Sequence, residues 1–590
     1  MRRKHAISRF ATFALATLAC LLLAMLGPSF FGSRTIDEPF AGYAVMASPR
    51  DLHIVTAPIR LSTAPDLTLS RGTLYADGNA AAGTPISRFV LDAPVFNLNA
   101  SGLPLSESDL ESTLESTLAG AVAPALVEQL QAMGFDTLTV RQGTLLVTAA
   151  DGTSETIGEI DAELTGRRKG EIAGRGSFAF RGQRLGFDGT LIQPTEKALS
   201  ARWPMKLTLK GDLLEATLDG RIDVAHDLQL GGQIELTSPS LRRTARWLGA
   251  PVPVADGLNA LTVKGQLNWR ARSIAVEDAK VAIDGNEATG ALVLNLTGER
   301  PLIDATLAFQ ALDLSPYADA ARAQSFLFDR QTATWSLFDL SLPLIRHVDA
   351  DLRISAPKVI LKGYGLGRGA ATIAVRSGKL LADIAELDLF GGKLSAQITA
   401  NADDIVPRYA LRGRAENVET GSATSSLFGS AVLTGRATLA LELEGAGQTP
   451  AELMRRLSGK ANLTMPEGGR LAIDAKALRT VAKSNGPPGW APLAKGQTNL
   501  ELVEARALIR HGVLMTEQVQ ARSGVLGFAA SGRVDLSERT LDLNVLLKSN
   551  VPADRPLKMS DMAGGEGVTV RGPWSGPYVR EQDLEADGAR

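Results

Sequence analysis

The sequence predicts a mainly β protein that follows a single N-terminal transmembrane helix. Residues 10–33 contain no charged side chain, and the long remainder alternates apolar and polar residues in many short segments. Gly is frequent, with 58 of 590 residues. Period-two alternation is typical of strands, and Gly supplies the tight turns between them. The expected architecture is an elongated, curled antiparallel β-sheet, shaped like a groove or a taco, with a few short helices.

Residues 10–33 form the predicted membrane anchor. About 20 apolar residues cross the hydrocarbon as a helix, and this stretch is long enough. Basic residues crowd residues 1–9, whereas Asp37 and Glu38 follow the apolar stretch. The positive-inside rule therefore leaves the N-terminus in the cytoplasm and exports the bulk of the chain. A cleaved signal peptide is the alternative, although no small-x-small cleavage motif follows promptly.

The composition describes a folded chain that lacks a general attraction to nucleic acid. Hydrophobic residues make up 45% and charged residues 21% of the chain, and the net charge is −2. No basic run interleaved with aromatic residues resembles a platform for stacked bases. The single Cys, Cys20, lies within the predicted anchor, so the exported part forms no disulfide. Lipidation of Cys20 is disfavoured because residues 21–23 continue the apolar run.

The strand segments carry one apolar face each and recur about every 10 to 15 residues. Most end at Gly or Asp-Gly, as at Asp219-Gly220 and Asp284-Gly285. Gly in these positions provides the positive φ that two-residue hairpin turns require. The connections are therefore predicted to be mainly antiparallel.

Helices are predicted at few places. The helix after Thr449 has the clearest signals, because Thr449 caps it, Pro450 occupies its first turn and Glu452 completes a capping box. The predicted helices span residues 106–133, 241–248, 450–458 and 475–482.

These elements predict six regions along the chain. They are a cytoplasmic N-terminus at 1–9, the transmembrane anchor at 10–33, an N-terminal periplasmic part with a long helix at 34–135, a repetitive β-sheet region at 136–330, a C-terminal β region at 331–577 and a disordered tail at 578–590.

Catalytic and metal-binding patterns are not found in the sequence. The five His residues are scattered, and none has a second His or a carboxylate at the spacing of a metal or catalytic cluster. Ser355 and Lys358 match S-x-x-K, but Pro357 precedes a strand where that motif requires a helix start. The sequence therefore predicts a non-enzymatic protein without a cofactor or bound metal.

The apolar strand face is the candidate functional surface. Such a face commonly packs against a second sheet. A curled sheet without covering helices can instead be filled by lipid acyl chains. The leucines predicted to line this lipid groove are Leu207, Leu209, Leu292, Leu294, Leu296, Leu439, Leu441 and Leu443.

The order of several segments resembles the AsmA family of envelope proteins, relatives of TamB and of the bridge-like lipid transfer proteins. The matching segments are residues 261–267, 278–292, 300–307 and 312–314, then 387–392, 447–454, 457–459, 524–532, 534–537 and 541–543. The resemblance implies an inner-membrane anchor, a β-rich groove in the periplasm and a role in outer-membrane lipid homeostasis. It implies no catalytic residues.

The leading functional hypothesis is an anchored protein of envelope biogenesis that shields phospholipid tails along the groove and transfers the lipids. Phospholipids and the inner membrane are then the expected partners, with outer-membrane or periplasmic proteins as further candidates and no nucleic acid. A scaffold that offers strand edges to assembling outer-membrane proteins is the alternative. A β-solenoid glycosidase would need regularly paired carboxylates, which the segments do not present.

Overall fold

The structure is a computed structural model that describes most of the chain after residue 44. The described residues are 45–47, 51–55, 59–63, 66–77, 88–99, 137–148, 154–167, 171–192, 202–223, 229–249, 257–270, 273–298, 300–317, 328–329, 334–337, 339–361, 364–428, 431–484, 488–494, 496–552, 557 and 559–582. The predicted anchor at 10–33, the cytoplasmic residues 1–9 and the predicted helix at 106–133 lie outside these ranges. Within them, no helix has the length and hydropathy that a membrane crossing requires.

The chain divides into two compact units. Unit 1 comprises Met1–Val252 and Leu258–Thr306, and unit 2 comprises Pro253–Gly257 and Leu307–Arg590. Both are built on mostly antiparallel sheets, which confirms the mainly β fold class. The region boundary predicted at residue 330 stays a prediction. The elongated groove remains a prediction.

Unit 1 is an antiparallel succession of strands, interrupted by one parallel pair between β5 and β6. Its strands are β1 (Val45–Ala47), β2 (Asp51–Val55), β3 (Ile59–Thr63), β4 (Asp66–Asp77), β5 (Arg88–Asn99), β6 (Thr137–Thr148), β7 (Ser154–Arg167), β8 (Glu171–Phe180), β9 (Gln183–Ile192), β10 (Arg202–Gly211), β11 (Glu215–Asp223), β12 (Gln229–Ser238), β13 (Leu261–Arg270), β14 (Ser273–Ile283) and β15 (Asn286–Asn295). Strand β16 (Leu302–Phe309) contains the point at which the chain passes from unit 1 to unit 2.

Unit 2 contains one long antiparallel sheet and three small pairings. Its strands are β17 (Leu312–Asp313), β18 (Phe328–Asp329), β19 (Thr334–Trp335), β20 (Asp349–Ala356), β21 (Val359–Ile360), β22 (Leu366–Arg376), β23 (Lys379–Leu389), β24 (Gly392–Asn401), β25 (Arg408–Glu419), β26 (Leu433–Thr434), β27 (Arg436–Ala446), β28 (Ser458–Met465), β29 (Gly469–Leu471), β30 (Thr498–Leu500), β31 (Leu502–Arg510), β32 (Val513–Ser523), β33 (Leu526–Asp535), β34 (Thr540–Lys548), β35 (Glu566–Pro573) and β36 (Tyr578–Glu581). The small pairings are β17–β21, β18–β19 and the three-stranded β26–β29–β30.

Four α-helices occur among the described residues: α1 (Leu241–Trp247), α2 (Thr420–Phe428), α3 (Pro450–Arg455) and α4 (Ala477–Ser484). Helices α1, α3 and α4 confirm the helices predicted from the sequence. Helix α2 was not predicted, because its Thr and Ser residues lack a helical apolar pattern.

The capping box of α3 is nearly as predicted. The Thr449 hydroxyl accepts a hydrogen bond from the Glu452 N–H at 3.3 Å. The Glu452 carboxylate in turn accepts from the N–H of Gln448 at 2.9 Å, one residue before the cap. Both ends of the box therefore satisfy donors at the start of the helix.

The two predicted Asp-Gly turns have different outcomes. Asp284 and Gly285 form a hairpin turn with φ of 51° and 84°, as predicted. The prediction at Asp219-Gly220 is wrong, because β11 continues through Gly220 to Asp223. Gly220 lies directly opposite Gly232, and a Cβ atom at Gly220 would be 2.1 Å from the Gly231 carbonyl oxygen. Close approach of two strands, rather than a turn, therefore requires glycine here.

We expect Gly220→Ala to lower the free energy of unfolding by about 3 kcal/mol, because the added methyl collides with backbone atoms that cannot move independently. Urea unfolding of the full chain measures this change. Gly158→Ala is the matched control, since a Cβ atom at this strand position has no neighbour within 4 Å. Equal stabilities of the two variants would contradict the close-approach explanation.

The predicted disordered tail requires a correction at its start. Tyr578–Glu581 form β36, which pairs with β35 through Val570 opposite Val579. The four residues of β36 are too few to show a strand pattern, so the strand cannot be recognised without its partner. Residues 583–590 of the predicted tail lie outside the described residues.

Bulges interrupt the strand pairing at several places. Gln142, Glu159, Asp278 and Asn417 have positive φ values between 48° and 56°. Each lies at a register shift in its strand. A bulge bends its strand and increases the local twist, so these positions introduce curvature within each sheet.

Candidate functional site

One face of the unit 2 sheet is apolar across twelve strands. In an antiparallel pair, directly opposed residues lie on the same face. Successive pairings therefore trace a continuous row perpendicular to the strands, and this row contains no polar residue. It consists of Leu352, Ile373, Ala382, Ile398, Leu411, Leu443, Gly459, Ile509, Leu514, Val534, Leu541 and Gly572.

A second row beside the first is apolar with one exception. The exception, Thr516, donates its hydroxyl hydrogen to the Gly532 carbonyl oxygen at 3.2 Å, so its polar group is satisfied within the sheet. The row consists of Ile354, Ala371, Ile384, Ala396, Gly413, Leu441, Ala461, Ala507, Thr516, Gly532, Leu543 and Val570. We call the surface formed by these two rows and the adjoining row through Leu439 and Leu463 the long apolar face.

The opposite surface of the same strands is polar. Asp542 bridges two guanidinium groups across three neighbouring strands, at 3.2 Å from Arg533 and 3.0 Å from Arg571. The Lys393 ammonium donates a 2.7 Å hydrogen bond to Glu386 and holds the pKa of that carboxyl below its usual range. The sheet is thus amphipathic, with solvated charges on one side and aliphatic groups on the other.

The middle of the long apolar face is incompletely covered. Leu411, Leu441 and Leu443 are half-buried, whereas the alternate residues Glu442 and Glu444 are exposed. Leucines in a core between two packed layers would be shielded from water by both layers. These strands therefore present a broad aliphatic surface that the surrounding protein leaves partly open.

One rim of this face is lined by residues 334–337 and 339–346, which we call the strap. Trp335 donates its indole hydrogen to the Leu536 carbonyl at 2.6 Å, and the Leu340 N–H bonds to the Gln448 carbonyl at 2.8 Å. The Tyr409 hydroxyl donates to the Leu340 carbonyl. Burial, with Asp339 nearby, raises the pKa of Tyr409 to about 12, so Tyr409 remains a donor at neutral pH. The strap thereby closes the ends of several strands.

Helix α2 lines the other rim. Its Ala423 packs beside a buried cluster of Phe390, Ala415 and Val418. The helix begins directly after Glu419, whose carboxylate accepts hydrogen bonds from the N–H groups of Gly421 at 2.9 Å and Ser422 at 2.6 Å. Partial burial raises the pKa of Glu419, but the hydrogen bonds from Ser422 and Gly421 outweigh burial and hold the pKa below its usual value.

We expect Glu419→Gln to destabilise α2 by about 1 kcal/mol at pH 7, as loss of a helix cap does. Because the folded pKa is depressed, the stabilisation is present above the unfolded pKa and disappears as pH falls through the folded pKa. Thermal unfolding at pH 7 and pH 3 measures the difference. Glu444→Gln, an exposed strand position, is the control. A difference from wild type that persists at pH 3 would contradict the capping role.

The predicted leucines lie on the apolar faces of both units. In unit 1, Leu207 opposes Leu218, and Leu294 opposes Ile274. Leu209 is only 7% exposed, whereas the other seven leucines are half-buried. The structure thus places the predicted residues on apolar surfaces but buries one of them.

The early strands of unit 1 have a filled interior instead of an open face. Phe178 is fully buried, and its ring centroid lies 6.4 Å from that of Phe187. The Trp247 ring of α1 packs edge-on against Phe180 at 5.9 Å. The apolar side of β6–β9 is therefore closed, and α1 covers part of it through Trp247.

Comparison with known proteins adds an independent observation. Residues 266–486 match the family model described as the AsmA family. This segment belongs to the AsmA family. Among curated proteins, the chain is similar to Protein AsmA of Escherichia coli (strain K12), with 25% identity over 195 residues. That alignment covers 33% of this chain and 32% of the relative, so the chain matches about a third of the relative's length. No solved structure matches the chain.

The AsmA segment contains six of the eight predicted leucines: Leu292, Leu294, Leu296, Leu439, Leu441 and Leu443. It also includes the strap, α2 and α3. In the part of the chain that the structure describes, no group of three or more His, Cys, Asp or Glu side chains is placed to hold a metal ion. The strap and α2 were missed from sequence, since neither carries a periodic apolar pattern.

Proposed function

We propose that this chain is a non-enzymatic, membrane-anchored protein of envelope biogenesis that shields phospholipid acyl chains on its long apolar face. The row of twelve directly opposed apolar residues from Leu352 to Gly572 carries the proposal. Aliphatic surface exposed to water costs about 25 cal/mol per Å². Acyl chains laid on this face would remove that cost without any specific polar contact.

The amphipathic sheet suits a ligand with an apolar tail and a polar head. Tails can lie on the half-buried leucines while head groups remain in water at the rim. Membership of residues 266–486 in the AsmA family supports a role in the cell envelope. An inner-membrane anchor at 10–33, a periplasmic location and transfer of phospholipid along the sheet complete the proposal.

A photo-reactive amino acid at Leu441 of the full-length chain tests this function in intact cells. The control has the same amino acid at Glu442, the next residue of β27, which is exposed on the opposite face. We expect phospholipid adducts from position 441 and none from 442, because only Leu441 faces the proposed tails. Mass spectrometry of the purified chain measures the adducts. Protein adducts without lipid adducts at position 441 would contradict the proposal and favour a scaffold for assembling proteins.

A further inference from the structure

Helix α4 covers the last strands of the long apolar face. Buried Leu478 and Ala482 of α4, with fully buried Leu493, share a core with strand residues beneath them. Those strand residues are Leu547, Val568, Val570 and Val579. The pairings of Leu543 with Val570 and of Val545 with Val568 make this floor a continuation of the face that is half open at β27. At β34–β36, α4 therefore lies on the same apolar face on which acyl chains would lie at β27.

The covering segment is an insertion that the sheet does not need. Strands β28 and β31 are neighbours, with Leu463 opposite Ala505. Residues 466–501 leave β28, form β29, α4 and β30, and return to β31. Since β28 and β31 pair directly, moving α4 breaks no hydrogen bond of the β27–β36 ladder. The floor and its cover are therefore separate structural elements.

Helix α4 makes weaker contacts with the sheet than the residues that follow it. Four apolar side chains of α4 make these contacts, and two of them, Ala477 and Ala482, are small; Leu478 and Val481 are the larger groups. Small side chains bury little area and contribute correspondingly little. Two ion pairs with partly or largely exposed side chains complete the attachment, from Arg479 to Glu566 at 3.1 Å and from Lys483 to Glu581 at 4.0 Å.

The residues that follow α4 are fixed more firmly. The Trp490 indole donates a 2.7 Å hydrogen bond to the Trp574 carbonyl, and the Gly489 N–H bonds to the Pro577 carbonyl at 2.9 Å. Leu493 is completely buried. These contacts after α4 would hold the insertion on the sheet while α4 moves away from the strands beneath it.

We propose that strands β34–β36 carry a second acyl-chain site, whose floor is Leu547, Val568, Val570 and Val579 and whose resident occupant is α4. This inference rests on the proposed function and extends it, because it places a displaceable cover at one end of the lipid-binding face. A phospholipid reaching these strands competes with α4 for the same aliphatic surface. Tethering α4 closes the second site and leaves the face at β27 accessible.

The test uses the full-length chain in vesicles of phosphatidylethanolamine and phosphatidylglycerol whose acyl chains end in a diazirine. After illumination, mass spectrometry maps adducts on residues 541–548 and 566–581 relative to residues 436–446. We expect Leu478→Asp to raise the relative adduct yield on the C-terminal strands by about tenfold, because a carboxylate displaces α4 from its apolar floor. Thr480→Asp is the matched control, since Thr480 is exposed on the same helix.

A reversible tether tests the inference without disturbing the core. In a Cys20→Ser background, Lys483→Cys and Glu581→Cys are joined by a disulfide-containing bismaleimide. We expect C-terminal adducts to disappear on tethering and to return on reduction, while adducts at 436–446 stay constant. C-terminal yields that are unchanged by the tether would overturn the inference, even if Leu478→Asp fails to fold. Absence of adducts at 436–446 in every variant would instead overturn the proposed function.

Discussion

Aspartate at both Leu294 and Leu441 is expected to abolish the lipid that co-purifies with the chain and to leave the fold intact. Each leucine is half-buried on an apolar face. A carboxylate there keeps access to water in the empty protein, so the cost to folding is small. Under a layer of acyl chains the same carboxylate loses its hydration, which costs several kcal/mol without a compensating hydrogen bond. Binding is therefore lost before stability.

Lipid mass spectrometry of the purified full-length chain, normalised to protein, measures this effect. The control places aspartate at Val293 and Ala440, the neighbouring residues of the same strands on the opposite face. It introduces the same charge. Lipid that co-purifies only because of the detergent would be present in equal amount in both double variants. Lipid content that is equal in the two double variants, with matching circular dichroism, would argue strongly against acyl-chain binding.

Phe178→Ala is expected to lower the free energy of unfolding by about 3 to 5 kcal/mol, the largest effect on stability among our predictions. Phe178 is fully buried, opposes Leu185 in the neighbouring strand and packs against the Phe187 ring. Truncation removes aromatic contacts and leaves a cavity that the surrounding sheet residues cannot fill, because their positions are fixed by the hydrogen-bonded ladder.

Urea unfolding with a probe in unit 1, such as Trp247 fluorescence, measures the loss. Ile192→Ala is the control, because Ile192 is 43% exposed at the end of β9. We expect the control to cost less than about 1 kcal/mol. A similar cost for both substitutions would show that the early strands of unit 1 lack a tightly packed interior.

Much of the candidate site followed from local alternation. Leu439, Leu441 and Leu443 are separated by polar or small residues, so the sequence alone places them on one face of a strand. The contributions of Gly413, Gly459 and Ala461 were not visible in this way. These small residues belong to the apolar face only because the register places them opposite leucines.

The elements that line the rims of the apolar face could not be predicted from local sequence patterns either. The strap closes one rim through contacts such as Trp335 to Leu536, which join residues 201 positions apart. Glu419 caps α2, a helix that the local sequence does not predict. The end of β25 is fixed instead by the hydrogen bonds that Thr420 donates to the Gly435 carbonyl. Such contacts depend on the register of distant strands and have no local signature.

The sequence by itself determined the mainly β class, the alternation that gives each strand one apolar face, and three of the four described helices. These features follow from side-chain period and capping chemistry within a few residues. Only the tertiary structure decided that Gly220 lies within a strand, that β6–β9 fill their interior, and that α4 covers the last strands. The physical reason is that register and coverage depend on interactions between residues far apart in the chain, whereas periodicity is local.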